Sequence, residues 1–434
     1  MLSACATYRP EPLPRSADLA PAITDLKVAA QSFPLPSLRH HPFDVADGLD
    51  WIEIAMLAVA NNPLLKAARM QRGEASAQVY AAGLLPDPQL SASLDHPTNG
   101  GSERVAGGGI GLGYDFQGLI TRSAGVAAGK AAQRQVDLVL LWQEWQVIQQ
   151  ARQLTLQIGN AVARRALLEE AEDRFARQYR RARTLMAQGE LTLEDVGAQA
   201  AAWFETSHRL SRLRQELQRG QAELHALLGL APDVRLPLIS LAGAPPARSA
   251  PPVPVLTALP RRRPDLRALR AGYQSQEQRV RKAILAQFPL LDMGFTRDRD
   301  TDGLYTTGVG ITLNLPLFSG NRGRIAIERA TRARLRAEYQ ARLDQTRSDI
   351  ARLLDRQRLL RERYRRLQRH LPELASLVTA ARQAYRRGDL TALGWLNLEK
   401  TWLDRRLERL ALEQALWQGR IALDTLLAWP ETEE

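Results

Sequence analysis

Cysteine is almost absent from this chain: a single residue, Cys5, in 434. That excludes a disulfide framework within the chain. Histidine is scarce too. The six are His40, His41, His96, His208, His225 and His370, and only the first two are adjacent. No His/Cys group has metal-ligand spacing, so no tightly held metal is expected. Gly-x-Ser-x-Gly does not occur and the one thiol sits near the start. No nucleophile constellation is visible; neither enzymatic activity nor a cofactor is expected. Long apolar runs are also missing, the tightest cluster being Leu138–Trp142. A transmembrane helix, which needs about 18 or more such residues, is excluded. A membrane barrel is not, because its alternating strands barely register as hydropathy.

Positive charge is plentiful, with a net formal charge of +12. Much of the excess lies between Arg322 and Arg387, where arginine recurs every few residues. Along a long helix such charge reads as a solvated face. Neither a helix-turn-helix nor a zinc finger nor an aromatic RNA-binding signature accompanies it, so nucleic acid is not an expected partner. Apolar residues at 45% and charged residues at 24% fit a folded chain.

The sole cysteine follows Leu2-Ser3-Ala4, similar to a bacterial lipobox, in which small residues suit the signal peptidase and the thiol takes the lipid. The basic and hydrophobic regions of a signal peptide do not precede it here. Cys5 is the predicted lipid attachment site, with residues 1–48 an extended tail leading from it. Acylation adds roughly 0.8 kcal/mol of membrane affinity per buried CH₂.

The second half of the chain restates the first at an offset of about 200 residues, longer than common repeat periods. Asn62-Pro63-Leu64-Leu65 aligns with Arg263-Pro264-Asp265-Leu266, Pro88 with Pro289, Gly189-Glu190-Leu191-Thr192 with Gly388-Asp389-Leu390-Thr391, and Trp203 with Trp402. The expected organisation is a tail (1–48), a first repeat (49–230), a surface linker rich in proline and alanine (231–259) and a second repeat (260–430). Each repeat reads as helix, β-hairpin, long helix, helix. The first helices are expected at Leu49–Leu85 and Arg261–Gln287, and the long ones at Arg122–Gln188 and Arg322–Arg387, the latter interrupted and kinked at Pro372. The last helices are expected to end at Leu230 and Trp429. Alternation marks the strands: Ile110, Leu112 and Tyr114 against Gly109, Gly111 and Gly113, and Tyr305, Thr307, Val309 and Ile311 against Thr306, Gly308 and Gly310. The turns are expected at His96–Arg104, with Asn99-Gly100-Gly101, and at Arg297–Gly303.

Two counts follow from that plan. One chain supplies four strands, whereas the smallest membrane barrels need about eight, and an open sheet edge is not tolerated in lipid. Three copies would give twelve. A long helix of about 67 residues reaches about 100 Å, too long for a small globular core, so the rods need partners along their sides. A soluble basic coiled coil is the rival class, but it would show monotonous heptads and no repeated hairpins.

The duplicated plan resembles the TolC-like outer-membrane efflux proteins. The resemblance rests on Arg262-Arg263-Pro264-Asp265-Leu266, Phe288-Pro289-Leu290, Leu315-Pro316-Leu317-Phe318 with Ser319-Gly320-Asn321-Arg322-Gly323-Arg324, and, in the first repeat, Asn61-Asn62-Pro63-Leu64-Leu65 and Pro86-Asp87-Pro88. It implies a mainly α chain with four β-strands, a homotrimer with a 12-stranded outer-membrane barrel in lipid, and a periplasmic helical tunnel. It also implies a periplasmic adaptor (membrane fusion protein) and a proton-driven inner-membrane pump as partners. The first-repeat phrase and the Asn-Arg-Gly run look most like the heavy-metal branch; ducts for drugs or other small toxic compounds share the plan. The resemblance puts the adaptor-docking tip at Gly189, Glu190, Leu191, Thr192 and at Gly388, Asp389, Leu390, Thr391. Relatives carry two gating aspartates where this chain has Gly394 and Asn397. Glu194, Asp195, Asp389 and Asn397 are therefore the candidate gate or cation filter, and the same carboxylates also suit helix N-termini.

Overall fold

The computed structural model describes residues 8–28, 36–98, 104–239, 243–245, 251, 253–287, 290–314 and 318–428. Cys5, Asn99-Gly100-Gly101, Phe288-Pro289, Leu315-Pro316-Leu317 and Trp429 lie outside the described residues. The helices are α1 (Pro36–Arg39), α2 (Trp51–Asn61), α3 (Pro63–Gly83), α4 (Phe116–Ala187), α5 (Leu193–Leu228), α6 (Val253–Arg262), α7 (Pro264–Leu285), α8 (Arg322–Arg387) and α9 (Ala392–Leu427). The strands are β1 (Gln89–Asp95), β2 (Gly107–Asp115), β3 (Leu290–Arg299) and β4 (Tyr305–Asn314). The order α2-α3-β1-β2-α4-α5 recurs as α6-α7-β3-β4-α8-α9.

The expected first helix of each repeat is in fact two. Asn62 (φ −52, ψ 123) separates α2 from α3, and Arg263 (φ −74, ψ 123) separates α6 from α7. Proline at the next position disfavours a helical conformation at each of these residues and then opens the following helix, where its missing N–H costs nothing. The first long helix starts at Phe116, earlier than Arg122, because β2 runs straight into it and the Asp115 carboxylate accepts from Gly118 N at 3.1 Å. Pro372 does not interrupt α8, which is continuous around it. The local loss of one hydrogen bond is small beside 66 residues of helix anchored on α9 by Tyr364, Leu412 and Leu416. The turn between β3 and β4 is also tighter than expected, since β3 continues through Arg297 to Arg299.

The segment read as a surface linker is partly docked. Leu49 N and Ile239 N form reciprocal bonds with Pro237 O and Leu49 O (2.7 and 2.9 Å), and Leu259 in α6 is fully buried. Its aliphatic content explains this: burying one such side chain stabilises by about 1.5–3 kcal/mol. The tail docks likewise, Ala20 bridging Leu230 and Asn61 Nδ2 donating to Lys27 O at 3.0 Å.

The strands form one antiparallel sheet in the order β1-β2-β3-β4. The helices repeat that order in a single layer. Next to the strands lie α3, α4, α7 and α8; farther away lie α5, α4, α9 and α8. The short helices thus stack end to end beside the long ones. The largest core cluster is where α2, α4 and α5 meet, around Ile54, Leu57, Ile148, Leu224 and Leu228. No described helix is long and apolar enough to cross a membrane.

Candidate functional site: the helix-reversal tip and the sheet faces

At the far end of the helices, two reversals lie side by side. Gly189 (φ 80) ends α4 and Gly388 (φ 83) ends α8. A left-handed residue is needed there so that Glu190 N and Asp389 N can reach back to Leu185 O and Ala384 O, each at 2.9 Å. Thr192 then caps α5, its hydroxyl accepting from Asp195 N while Asp195 bonds back to Thr192 N; Thr391 caps α9 by accepting from Gly394 N at 3.1 Å. The predicted turn residues are therefore together. The predicted acidic residues differ in what they do. Asp195 closes a capping box, and Asp389 pairs with Arg387 at 2.9 Å. Glu194 and Asn397 are exposed. Leu193 and Leu393 are exposed beside the turns. A cavity of about 180 Å³ opens between the two reversals, lined by Arg174, Arg181, Leu191, Asp195, Gln199 and Tyr385.

Above it lies a clamp that sequence reasoning missed. Glu399 of α9 is 2% exposed and bonds Arg174 of α4 and Arg382 of α8, each at 2.6 Å. One carboxylate thus ties three helices from both repeats. Trp395, one turn earlier, is buried and stacks on Tyr385 at 5.2 Å. A signal did exist: Trp395, Leu396, Glu399 and Leu403 share one helical face, and an acid on an otherwise apolar face requires a cationic partner.

A second ionic node sits mid-way along the helices. Arg263 is 1% exposed and grips Asp265 with two bonds, 2.9 and 2.7 Å. Arg342 of α8 adds a third at 2.9 Å, and Arg263 also donates to Leu426 O of α9 at 2.9 Å. Burial pushes the Asp265 carboxyl up, but Arg263 and Arg342 together outweigh it and hold it below the ordinary carboxylate value. The first repeat has Asn62 at the aligned place, donating to Leu227 O at 2.9 Å.

The sheet has two unlike faces. Cross-strand partners put Leu90, Leu112, Phe295 and Val309 in one row, Tyr114, Met293 and Ile311 in another, and Ala92, Ile110, Arg297 and Thr307 in a third, all on one face. Most of the large side chains there are exposed, Val309 at 73% and Leu90 at 75%. On the other face lie Ser91, Gly111, Thr296 and Gly308; Ser93, Gly109, Asp298 and Thr306; and Asp115, Asp292 and Thr312. The Asp298 carboxylate occupies the space that a side chain on Gly109 would need. The apolar face is that of a membrane barrel turned outward, and β1 and β4 are edges with no partner among the described residues.

The model of the outer membrane efflux protein family matches residues 55–230 and 255–428. The chain is similar to the solved structure of CusC, whose description concerns folding and transmembrane channel formation: 17% identity, TM-score 0.72, covering 93% of this chain and 98% of that one. The outer membrane protein VceC from Vibrio cholerae is 19% identical with a TM-score of 0.72, covering 87% and 95%. The Campylobacter jejuni CmeC outer membrane channel is 18% identical with a TM-score of 0.73, covering 89% and 88%. No curated protein matches the chain.

Proposed function

Because the chain belongs to the outer membrane efflux protein family, whose trimeric channels join a strand barrel to a periplasmic helical tunnel, we propose that it is an exit duct preferring cationic cargo. Family members are passive channels, not enzymes, and work with an adaptor and an inner-membrane pump. The observation that carries the cation reading is the inner face of the sheet. Asp95, Asp115, Asp292 and Asp298 lie on it with glycine, serine and threonine, and no lysine, arginine or histidine of the described strands shares it. Asp292 and Asp298 are six residues apart, about 20 Å along a strand. Threefold repetition makes two carboxylate levels with an uncharged sleeve between. Such rings lower the energy of a passing cation and raise that of an anion. A heavy-metal ion is one such cargo, conducted and not held.

In this reading Cys5 carries lipid, and the pump is proton-driven. The tip around Gly189, Glu190, Leu191, Thr192, Gly388, Asp389, Leu390 and Thr391 docks the adaptor, with exposed Leu193 and Leu393 offering apolar contact. Glu194 and Asn397 are the tip groups free to face the opening, while Asp195 and Asp389 serve mainly to hold the turns. Residues 49–230 and 260–430 act as equivalent halves of the wall. Cross-linking from Leu191 or Leu390 to the adaptor in an assembled pump tests docking; no adduct would count against it.

The duct reading is tested by the reversal potential of the purified protein in a planar bilayer under a salt gradient. Cation preference, reduced in Asp298→Asn and Asp292→Asn and less so in Glu194→Gln, is expected. Unselective or anion-selective conductance would reject cationic cargo and return the reading to drugs or other small toxic compounds.

A further inference from the structure

The outward face of the sheet is apolar except at one end. Cross-strand rows there contain Ala92, Ile110, Arg297 and Thr307, then Leu94, Gly108, Arg299 and Tyr305. Both arginines therefore stand on the lipid-facing side, one and two rows beyond Phe295, or about 7 and 13 Å along the strand. This is the end of the hairpin turns, away from the helices, and so the outer-leaflet end of the barrel.

Neither arginine forms an ion pair among the described residues. The nearby acids are engaged elsewhere. Asp298 points to the opposite face. Asp300 accepts from Asp302 N and Leu304 N at 2.9 Å each, and Asp302 faces Arg104 at 3.6 Å. Arg299 stacks over Tyr305, 5.4 Å from the ring centroid, and its Nε is shielded from solvent with no hydrogen-bond partner. Gly108 leaves β2 without a side chain beside Arg299. Tyr305, 63% exposed, is where an interfacial aromatic girdle belongs.

Two guanidinium groups thus rise from an apolar band at headgroup depth without an anion of their own. We propose that Arg297 and Arg299 form a binding site for the phosphate of an outer-leaflet lipid headgroup, one site per protomer, with the acyl chains lying on Phe295, Val309 and Ile110. Guanidinium suits this ligand because its fork matches phosphate oxygens in a bidentate way. The first repeat has no such pair: the positions aligned with Arg297 and Arg299 are His96 and Thr98, beyond the end of β1. Three sites per trimer are therefore expected, not six.

The test uses the full-length trimer in neutral detergent, with bound lipid counted by native mass spectrometry. The probes are diphosphorylated lipid A, the same lipid dephosphorylated, and inorganic phosphate. Wild type should take up to three diphosphorylated molecules. The double variant Arg297→Gln, Arg299→Gln should bind about tenfold or more weakly, the loss of one charged hydrogen bond or more. The Lys pair should retain part of the affinity. Persistence of the SDS-resistant trimer in each variant shows that folding is intact. Equal binding of the dephosphorylated lipid, equal binding by the Gln pair, or displacement by millimolar inorganic phosphate would overturn the proposal. None of these outcomes bears on ion selectivity, which belongs to the inner face.

Discussion

The two long helices occupy equivalent places in the two repeats and are buried very differently. Of 72 residues in α4, 21 are buried; of 66 in α8, only six are. The first is flanked on both sides within the chain, by α3 and α5 and by α7 and α9. The second touches α7 and α9 on one side and, among the described residues, has no helix packed along the other. At the sheet the open margins appear as two edges, β1 and β4, unpaired among the described residues. One chain is thus a strip of wall with open margins. A ring of copies joined head to tail supplies the missing neighbours, as a heterologous contact that closes must. The arginines of α8 then belong to a helix that borders the next copy along one margin and water on the faces of the wall.

The aligned nodes differ too, neutral at Asn62 and ionic at Arg263 with its partner Asp265, and that contrast can be broken experimentally. The largest effect is expected from Asp265→Ala, which leaves Arg263, 1% exposed, without its counter-ion. Breaking such a buried pair costs about 3–5 kcal/mol, read as a lowered thermal midpoint of the trimer. The same carboxyl sets a pH dependence. Its folded value is depressed, so its contribution is complete above the ordinary carboxylate range and is lost as pH falls through and below about 4. Wild type should lose thermal stability in that window more steeply than Asp265→Asn. An equal slope would remove the ionic node from the account.

Next in size is Glu399→Gln, which leaves Arg174 and Arg382 sharing a neutral acceptor and should cost about 1–3 kcal/mol. Faster proteolysis near the tip, with the barrel end unchanged, is the accompanying readout. Asn62→Ala, which removes a cap and the bond to Leu227 O, should cost about 0.5–2 kcal/mol, with no change in acid sensitivity. Comparable in size is Gly189→Ala or Gly388→Ala, about 1 kcal/mol each for a left-handed alanine in otherwise open space. A midpoint shift larger than that of Asp265→Ala would reverse the ranking.

Much of this architecture was legible in the residues. Alternation in Tyr305–Ile311 and in Ile110–Tyr114 marked two strands and their apolar side, and α8 begins and ends where its arginine-rich pattern does. The family and the barrel followed from the duplicated motifs. Less legible were features set by tertiary contact. Asn62 and Arg263 break helices that periodicity alone runs together, although Pro63 and Pro264 carried the warning. The 231–259 stretch looked like linker because its composition is turn-rich, yet Leu259 is buried once α9 is beside it. The ties at Glu399 join residues 225 and 17 positions apart, a pairing that spacing does not announce.

This chain is one third of a closed wall, joined through the margins of its sheet. That closure can be tested by placing one cysteine at Ser93 in β1 and one at Thr306 in β4, in a Cys5→Ser background, and treating membranes with a bifunctional thiol reagent spanning about 10 Å. Within one chain these edges lie three strand spacings apart, about 14 Å, too far for that reagent. A covalent ladder that reaches a trimer and stops there is expected. Cross-linked product confined to the monomer, or a ladder continuing past three, would contradict it.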